Sequence, residues 1–253
     1  MELKVVTFNI RIQSASDFAA RVDRISNRIN DSSADIICFQ ELSTSMQKLL
    51  AEKTPDYVFV GGGRDATRLG EGTPIAYRRD RFVLQEFRTR WLSDKPTVPN
   101  SCFECDQGHP RIYTFALLSD PETEKHFRIY NTHFDYRGKN ARILESKMLR
   151  DEIAKDDEIL KGIPLVITGD FNAMPQTEEI KIISHREDLT DVTSQIEQTF
   201  NGYDKPFDRD KELKIDYIFV SDGIVCTATE LWSEKENGEY LSDHFPILSY
   251  LSL

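Results

Sequence analysis

Six apolar runs of this 253-residue chain border, on one side, an acid, an amide or a histidine. Asn9 follows Val5-Val6-Thr7-Phe8, and Gln40 and Glu41 follow Ile36-Ile37-Cys38-Phe39. Asn131, His133 and Asp135 follow Phe127-Arg128-Ile129-Tyr130. Asp170 and Asn172 follow Leu165-Val166-Ile167-Thr168-Gly169, while Asp216 opens Tyr217-Ile218-Phe219-Val220. Asp243 and His244 stand directly before Phe245-Pro246-Ile247-Leu248. Carboxylate and amide oxygens hold hard cations such as Mg²⁺ or Mn²⁺, and imidazoles carry charge and protons near neutrality. Each stretch alone has a plainer explanation. Gly169-Asp170-Phe171-Asn172 is rich in turn formers. Glu41 suits the positive end of a following helix, and His133 or His244 can be a satisfied structural histidine. That explanation must hold six times over. Strand ends are rigid platforms where ligand sites gather, so the repetition points to one site.

The elements that position these residues are legible from periodicity. Strands are expected at 5–10, 35–39, 57–60, 74–77, 82–88, 112–118, 127–130, 164–168, 215–220, 225–231 and 245–251. Phe18, Val22, Ile25 and Ile29 recur at helical spacing over 17–30, with Ser16 as N-cap. Further helices are expected around Met46, Leu49 and Leu50 and over 141–160. The glycine-rich stretch 61–74 lacks the Gly-Lys-Ser/Thr ending of a phosphate-binding loop, and reads as a flexible rim rather than a phosphate cradle. Early strands alternate with helices and the middle runs strand to strand. That order predicts an α/β fold of mixed sheets with helices outside. With no repeat, low-complexity tract or linker, 1–253 reads as a single domain.

Composition narrows the function. Hydrophobic residues make up 39% and charged residues 30%, as in a soluble globular chain. The net charge of −11 repels polyanions. Duplex binders without sequence preference need many phosphate contacts, so no extended duplex DNA surface is expected. No apolar run approaches the roughly 20 residues of a membrane span. Met1-Glu2-Leu3-Lys4-Val5-Val6 does not resemble a leader, and a cytoplasmic location is expected. Cys38 and Cys226 lie in apolar runs and read as core residues. Cys102 and Cys105 form a lone pair near His109, with no second pair to close a zinc site, and read as a plain loop.

Taken in order, Thr7-Phe8-Asn9-Ile10-Arg11, Gln40-Glu41, Asn131-Thr132-His133, Gly169-Asp170-Phe171-Asn172, Ile215-Asp216-Tyr217-Ile218-Phe219 and Ser242-Asp243-His244-Phe245-Pro246 form a set. The set resembles the endonuclease/exonuclease/phosphatase superfamily, the group of deoxyribonuclease I, apurinic endonucleases, poly(A) deadenylases, inositol polyphosphate 5-phosphatases and neutral sphingomyelinases. Trp91-Leu92-Ser93 and Pro110-Arg111-Ile112 are similar to a compact bacterial and fungal branch of it. The resemblance implies a four-layer sandwich, two mixed sheets face to face with helices outside. It implies Glu41 as principal ligand of Mg²⁺ or Mn²⁺, with Asn9 nearby and Asp243 completing the shell. Asp170 would orient or deprotonate the attacking water, and Asn172 would hold that water or the phosphate. His244, oriented by Asp216, would meet the phosphate, and His133 would stabilise charge or assist the leaving group. Arg111 and Asn131 are the expected substrate contacts, with Arg64, Arg68, Arg137 and Lys139 as rim cations. Two departures stand out. Ile12-Gln13 replaces a Tyr-Asp pair, and Asn201 stands where that branch has a histidine.

The expected activity is metal-dependent hydrolysis of a phosphodiester or phosphomonoester. A small phosphorylated molecule or a short nucleic-acid end is favoured. A nuclease on DNA or RNA is the alternative. A non-catalytic module binding phosphorylated ligands is the more distant one.

Overall fold

Alternation along the strands sets the architecture. In the strand Glu2–Asn9 (β1), Leu3 and Val5 face one core while Val6 and Phe8 face another. In Ile36–Gln40 (β2), Ile36 and Cys38 face the first core, Ile37 and Phe39 the second. A strand buried on both faces belongs inside a layered molecule.

The computed structural model describes residues 1–106, 109–185, 188–204 and 214–253. The helices are Ala15–Ser32 (α1), Thr44–Lys53 (α2), Lys139–Ile159 (α3) and Glu178–Ser184 (α4). The remaining strands of the first sheet are Tyr57–Val60 (β3), Ile75–Arg78 (β4), Val225–Leu231 (β11) and Ile247–Ser252 (β12). The second sheet holds Val83–Trp91 (β5), Ile112–Asp120 (β6), Lys125–His133 (β7), Leu165–Asp170 (β8), Leu189–Asp191 (β9) and Asp216–Ser221 (β10). Strand orders are β11-β12-β1-β2-β4-β3 and β5-β6-β7-β8-β10-β9. Each sheet carries one parallel pair joined through a helix, β1-α1-β2 and β7-α3-β8. The other pairings are antiparallel. One apolar core lies between the sheets. A second lies under α1 and α2, and a third under α3 and α4. This is the expected α/β four-layer sandwich of two mixed sheets.

Several expectations shift. Ser14, not Ser16, caps α1; its side chain accepts from Asp17 N, so the helix starts two residues earlier. β7 runs on to His133 and β8 to Asp170, so these residues sit on strands rather than after them. The short α4 and β9 had no periodic signal long enough to read. Cys38 is buried, but Cys226 is only half-buried on the edge strand β11. Cys102 and Cys105 are free thiols, the latter exposed.

On the face between the sheets, side chains change character along every central strand. Leu3 and Val5 give way to Thr7 and Asn9, and Phe127 and Ile129 to Asn131 and His133. At the seam Gln40 Nε2 donates to Asn131 Oδ1 at 2.7 Å and to Thr7 Oγ1 at 3.2 Å, joining the two sheets. Asn131 Nδ2 points at the carbonyls of Phe39, Thr73 and Pro74, 2.7, 3.1 and 3.2 Å away. Asn131 was expected to contact substrate. Its amide is instead fully buried and committed to the opposite sheet.

Asn131→Leu therefore acts on stability. It strands buried carbonyls and the Gln40 amide, lowering unfolding free energy by about 3 kcal/mol. A shifted urea midpoint at unchanged slope reads this loss. A fully stable variant with a raised KM would return Asn131 to the substrate.

Candidate active site

The polar ends of both sheets open into a cavity of about 450 Å³. β8 delivers Asp170 into it, and β7 delivers His133. Asp170 Oδ2 accepts from Asn9 Nδ2 at 2.9 Å, lies 3.5 Å from His133 Nε2 and 3.8 Å from His244 Nε2. Asp170 Oδ1 accepts from Asn172 N at 2.9 Å. Asn172 Nδ2 in turn donates to Phe134 O at 2.9 Å, which holds the turn shut. Asp170 is thus a buried carboxylate between two imidazoles.

Each imidazole has a carboxylate behind it. His244 Nδ1 lies 2.9 Å from Asp216 Oδ2, at the start of β10. Burial alone would push the His244 pKa down. Asp216, helped by Asp170 and Asp243, outweighs it and raises the pKa to about 10, so the ring is cationic at neutrality. His133 Nδ1 lies 3.4 Å from Glu71 Oε1. Burial alone would push the Glu71 carboxyl up, but His133, Arg64 and Arg111 hold it down at about 2.

Glu71 and Arg64 come from the glycine-rich stretch, which is a braced wall rather than a flexible rim. Gly63 and Gly72 form a bridge. A Cβ on Gly63 would sit 2.7 Å from Gly70 O, and one on Gly72 2.8 Å from Gly62 O. Only glycine fits this pinch. Trp91 Nε1 donates to Arg64 O at 2.6 Å, and Arg64 Nη2 pairs with Glu71 Oε2 at 2.7 Å. Sequence reading named Arg64 but missed Glu71. The signal was there: one carboxylate flanked by Gly70 and Gly72.

Arg111 is 2% exposed and lines the cavity. Its Nη1 is 3.6 Å from Glu71 and its Nε 3.8 Å from Asp135, beyond hydrogen-bond reach. Arg111 Nε and Arg64 Nη1 are buried donors without a hydrogen-bond partner. Buried unmet donors are costly, so two on one cavity call for an acceptor.

The expected metal ligands surround the far wall. Glu41 has φ 62°, a left-handed conformation uncommon for a side-chain-bearing residue and typical of functional sites. Its Oε1 accepts from Asn9 Nδ2 at 3.1 Å and its Oε2 from Ile12 N at 2.7 Å. The residue that departs from the Tyr-Asp pattern thus supports Glu41 through its backbone. Asp243 lines the cavity, 3.7 Å from Arg11 Nε. Asp170, Asp216 and His244 have ligand atoms within 4.8 Å of one another. Within that trio the 2.9 Å Asp216–His244 contact already engages one carboxylate oxygen and one ring nitrogen. Asn201 is buried, its amide on Ser242 O at 3.1 Å, and serves the backbone rather than the cavity. Of the rim cations, Arg68 stacks over Trp91 at 5.5 Å and Arg137 reaches His109 at 2.8 Å. Lys139 is exposed at the start of α3.

A profile of the Endonuclease/Exonuclease/phosphatase family matches residues 6–244, the whole interval from β1 to His244. The chain belongs to this family. An endonuclease/exonuclease/phosphatase of Bacteroides vulgatus is 32% identical, with a TM-score of 0.90 over 100% of this chain and 99% of its own. A mannosyl-6-phosphatase of Bacteroides thetaiotaomicron is 26% identical, with a TM-score of 0.87 over 99% and 100%. An uncharacterized protein of Acanthamoeba polyphaga mimivirus is 27% identical over 210 residues, 78% of this chain and 73% of its own. The family's deoxyribonuclease I-like sandwich is the fold described above, and its members are hydrolytic phosphoesterases that generally use divalent metals.

Glu71→Gln leaves Arg64, Arg111 and His133 without their shared anion and costs about 3 kcal/mol, as for a buried pair losing one partner. Glu71 has a depressed folded pKa. Its contribution is therefore complete above the unfolded value of about 4.3 and fades as pH falls toward 2. The gap in urea midpoint between wild type and Glu71→Gln should be constant at neutral pH and narrow below about pH 4.3. A gap independent of pH would contradict this charge balance.

Proposed function

We propose that this family member hydrolyses a phosphoester with a divalent metal, acting on a small phosphorylated molecule or a short nucleic-acid end. The observation that carries this is the cavity that holds Asp170 between two histidines and is lined by Arg64 and Arg111. A phosphate is the acceptor that suits planar guanidinium forks.

The donor set on the far wall fits a hard cation. Glu41 and Asp243 offer carboxylate oxygens, Asn9 turns its Nδ2 to Glu41 while its Oδ1 accepts from Arg11 N at 3.0 Å, and Arg11 Nε stands 3.7 Å from Asp243 as a weak counterion. Mg²⁺ is the expected ion, with Mn²⁺ an equivalent, held by Glu41, Asn9 and Asp243. When bound, it supplies positive charge to phosphate oxygens and lowers the cost of charge developing there.

The chain's own groups divide the remaining work. Asp170 orients the attacking water and takes its proton, while Asn172 fixes Asp170 through its backbone N–H and, with its Nδ2 on Phe134 O, keeps its amide oxygen for the same water. His244, kept cationic by Asp216, stabilises the equatorial oxygens. His133, held by Glu71, supports the leaving oxygen. Arg111 and Arg64 hold the phosphate in line. A nuclease acting on DNA or RNA would use the same groups. The net charge of −11 weighs against a long polyanion and favours a small substrate. A non-catalytic module binding phosphorylated ligands would have no use for an intact set of two carboxylate–histidine pairs. No described helix is long and apolar enough to cross a membrane.

A panel of sugar phosphates, nucleotides, inositol phosphates and short oligonucleotides, each with Mg²⁺ and Mn²⁺, tests the reading. On any substrate found, Asp170→Asn should lower kcat by about three orders of magnitude with little change in KM. Unchanged kcat would refute the role of Asp170, and silence across the panel would refute the activity.

A further inference from the structure

We propose that Tyr136 is a specificity platform, selecting phosphate esters whose alcohol carries a sugar ring. This rests on the phosphoesterase reading and names the substrate class for the same cavity.

An exposed aromatic side chain ordinarily needs no explanation. Tyr136 differs in place and in bracing. It is 51% exposed, yet it lines the mouth of the cavity. Its hydroxyl accepts from Arg137 Nε at 2.6 Å, and the Arg137 guanidinium lies 4.9 Å from its ring centre. His109 meets the ring edge-on at 6.3 Å and meets Arg137 Nη1 at 2.8 Å. The backbone beneath is tied down, since Arg137 N and Gly138 N both donate to Asp135 Oδ1 at 2.7 Å. A ring held this way loses little freedom on binding.

Position relative to the phosphate clamp decides what the ring receives. Arg111 lies 5.8 Å from the Tyr136 ring centre, and its other side faces Glu71 and Asp135. A phosphate on Arg111 therefore carries its ester substituent out past Tyr136. That substituent meets one aromatic face bordered by polar side chains. Among the described residues Phe200, the other non-histidine aromatic ring on the cavity besides Tyr136, packs edge-on against His244 at 5.0 Å. A pyranose presents an apolar C–H face to one ring, whose π face is negative, and a rim of hydroxyls to flanking donors and acceptors. His109 and Arg137 supply that polar border.

The test compares glucose 6-phosphate, adenosine 5′-monophosphate and glycerol 3-phosphate with Mg²⁺ on wild type, Tyr136→Ala and Tyr136→Phe. Binding of the same three to Asp170→Asn is followed by calorimetry, which needs no turnover. Tyr136→Ala should raise KM and Kd for the hexose phosphate about tenfold while leaving glycerol phosphate nearly unchanged. Tyr136→Phe keeps the ring and should retain most of the preference. Equal losses on hexose and glycerol phosphates, or a loss confined to the nucleotide, would overturn the platform. Turnover whose substrate ratio ignores Tyr136 defeats the platform and leaves the phosphoesterase standing. Ring-selective binding without hydrolysis of any ester does the reverse.

Discussion

The hydrogen bond from Gln40 Nε2 to Asn131 Oδ1, 2.7 Å long and fully buried, joins the two sheets where their apolar core gives way to polar side chains. On its inner side lie Cys38, Ile129 and Val166, which need no partners. On its outer side lie Asn9, His133 and Asp170, which do. Buried polar groups are tolerated only in a satisfied network. The Asn131 amide supplies it by meeting three carbonyls of the opposite sheet, and Thr168 Oγ1 adds a 3.3 Å contact to the Asn131 oxygen. The seam fixes how the strand ends of one sheet face those of the other. The site draws on both sheets, so its geometry depends on that seam.

Charge balance is the second constraint. Glu41, Glu71, Asp170, Asp216 and Asp243 crowd one region of a chain already at −11. The structure handles them as pairs, Asp216 with His244 and Glu71 with His133 and Arg64. Among the described residues, Glu41 and Asp243 meet backbone, amide and hydroxyl donors and only longer-range arginine charge, from Arg64 on Glu41 and from Arg11 and Arg21 on Asp243. That imbalance is what a divalent cation would correct. Meanwhile Arg64 and Arg111 keep unmet donors on the opposite wall. The cavity is lined by carboxylates together with arginines and imidazoles, a mixture that offers partners to both a cation and a phosphate.

Much of this was legible because strands have a period of two. Val5, Thr7 and Asn9 share a face, as do Ile129, Asn131 and His133, so polar residues at strand ends had to converge. What escaped reading lacked periodicity. Glu71 sits in a glycine pinch whose shape comes from backbone contacts across 62–72, and no spacing rule reports those. Asn131 shares its type and its place at a strand end with true site residues. Only its three carbonyl partners on the other sheet reveal a structural role. The cap of α1 moved from Ser16 to Ser14 because both serines fit the pattern, and the Asp17 N–H chose between them. Tyr136 carries no motif and stands in no periodic run, and only the cavity places it among the lining residues.

The central claim is that Glu41 and its neighbours hold a hard cation needed for phosphoester hydrolysis. Hydrolysis of bis-p-nitrophenyl phosphate and p-nitrophenyl phosphate before and after chelation tests it most directly. The account predicts that turnover disappears in chelator and returns with Mg²⁺ or Mn²⁺ in wild type but not in Glu41→Gln. Full turnover in chelator would contradict it.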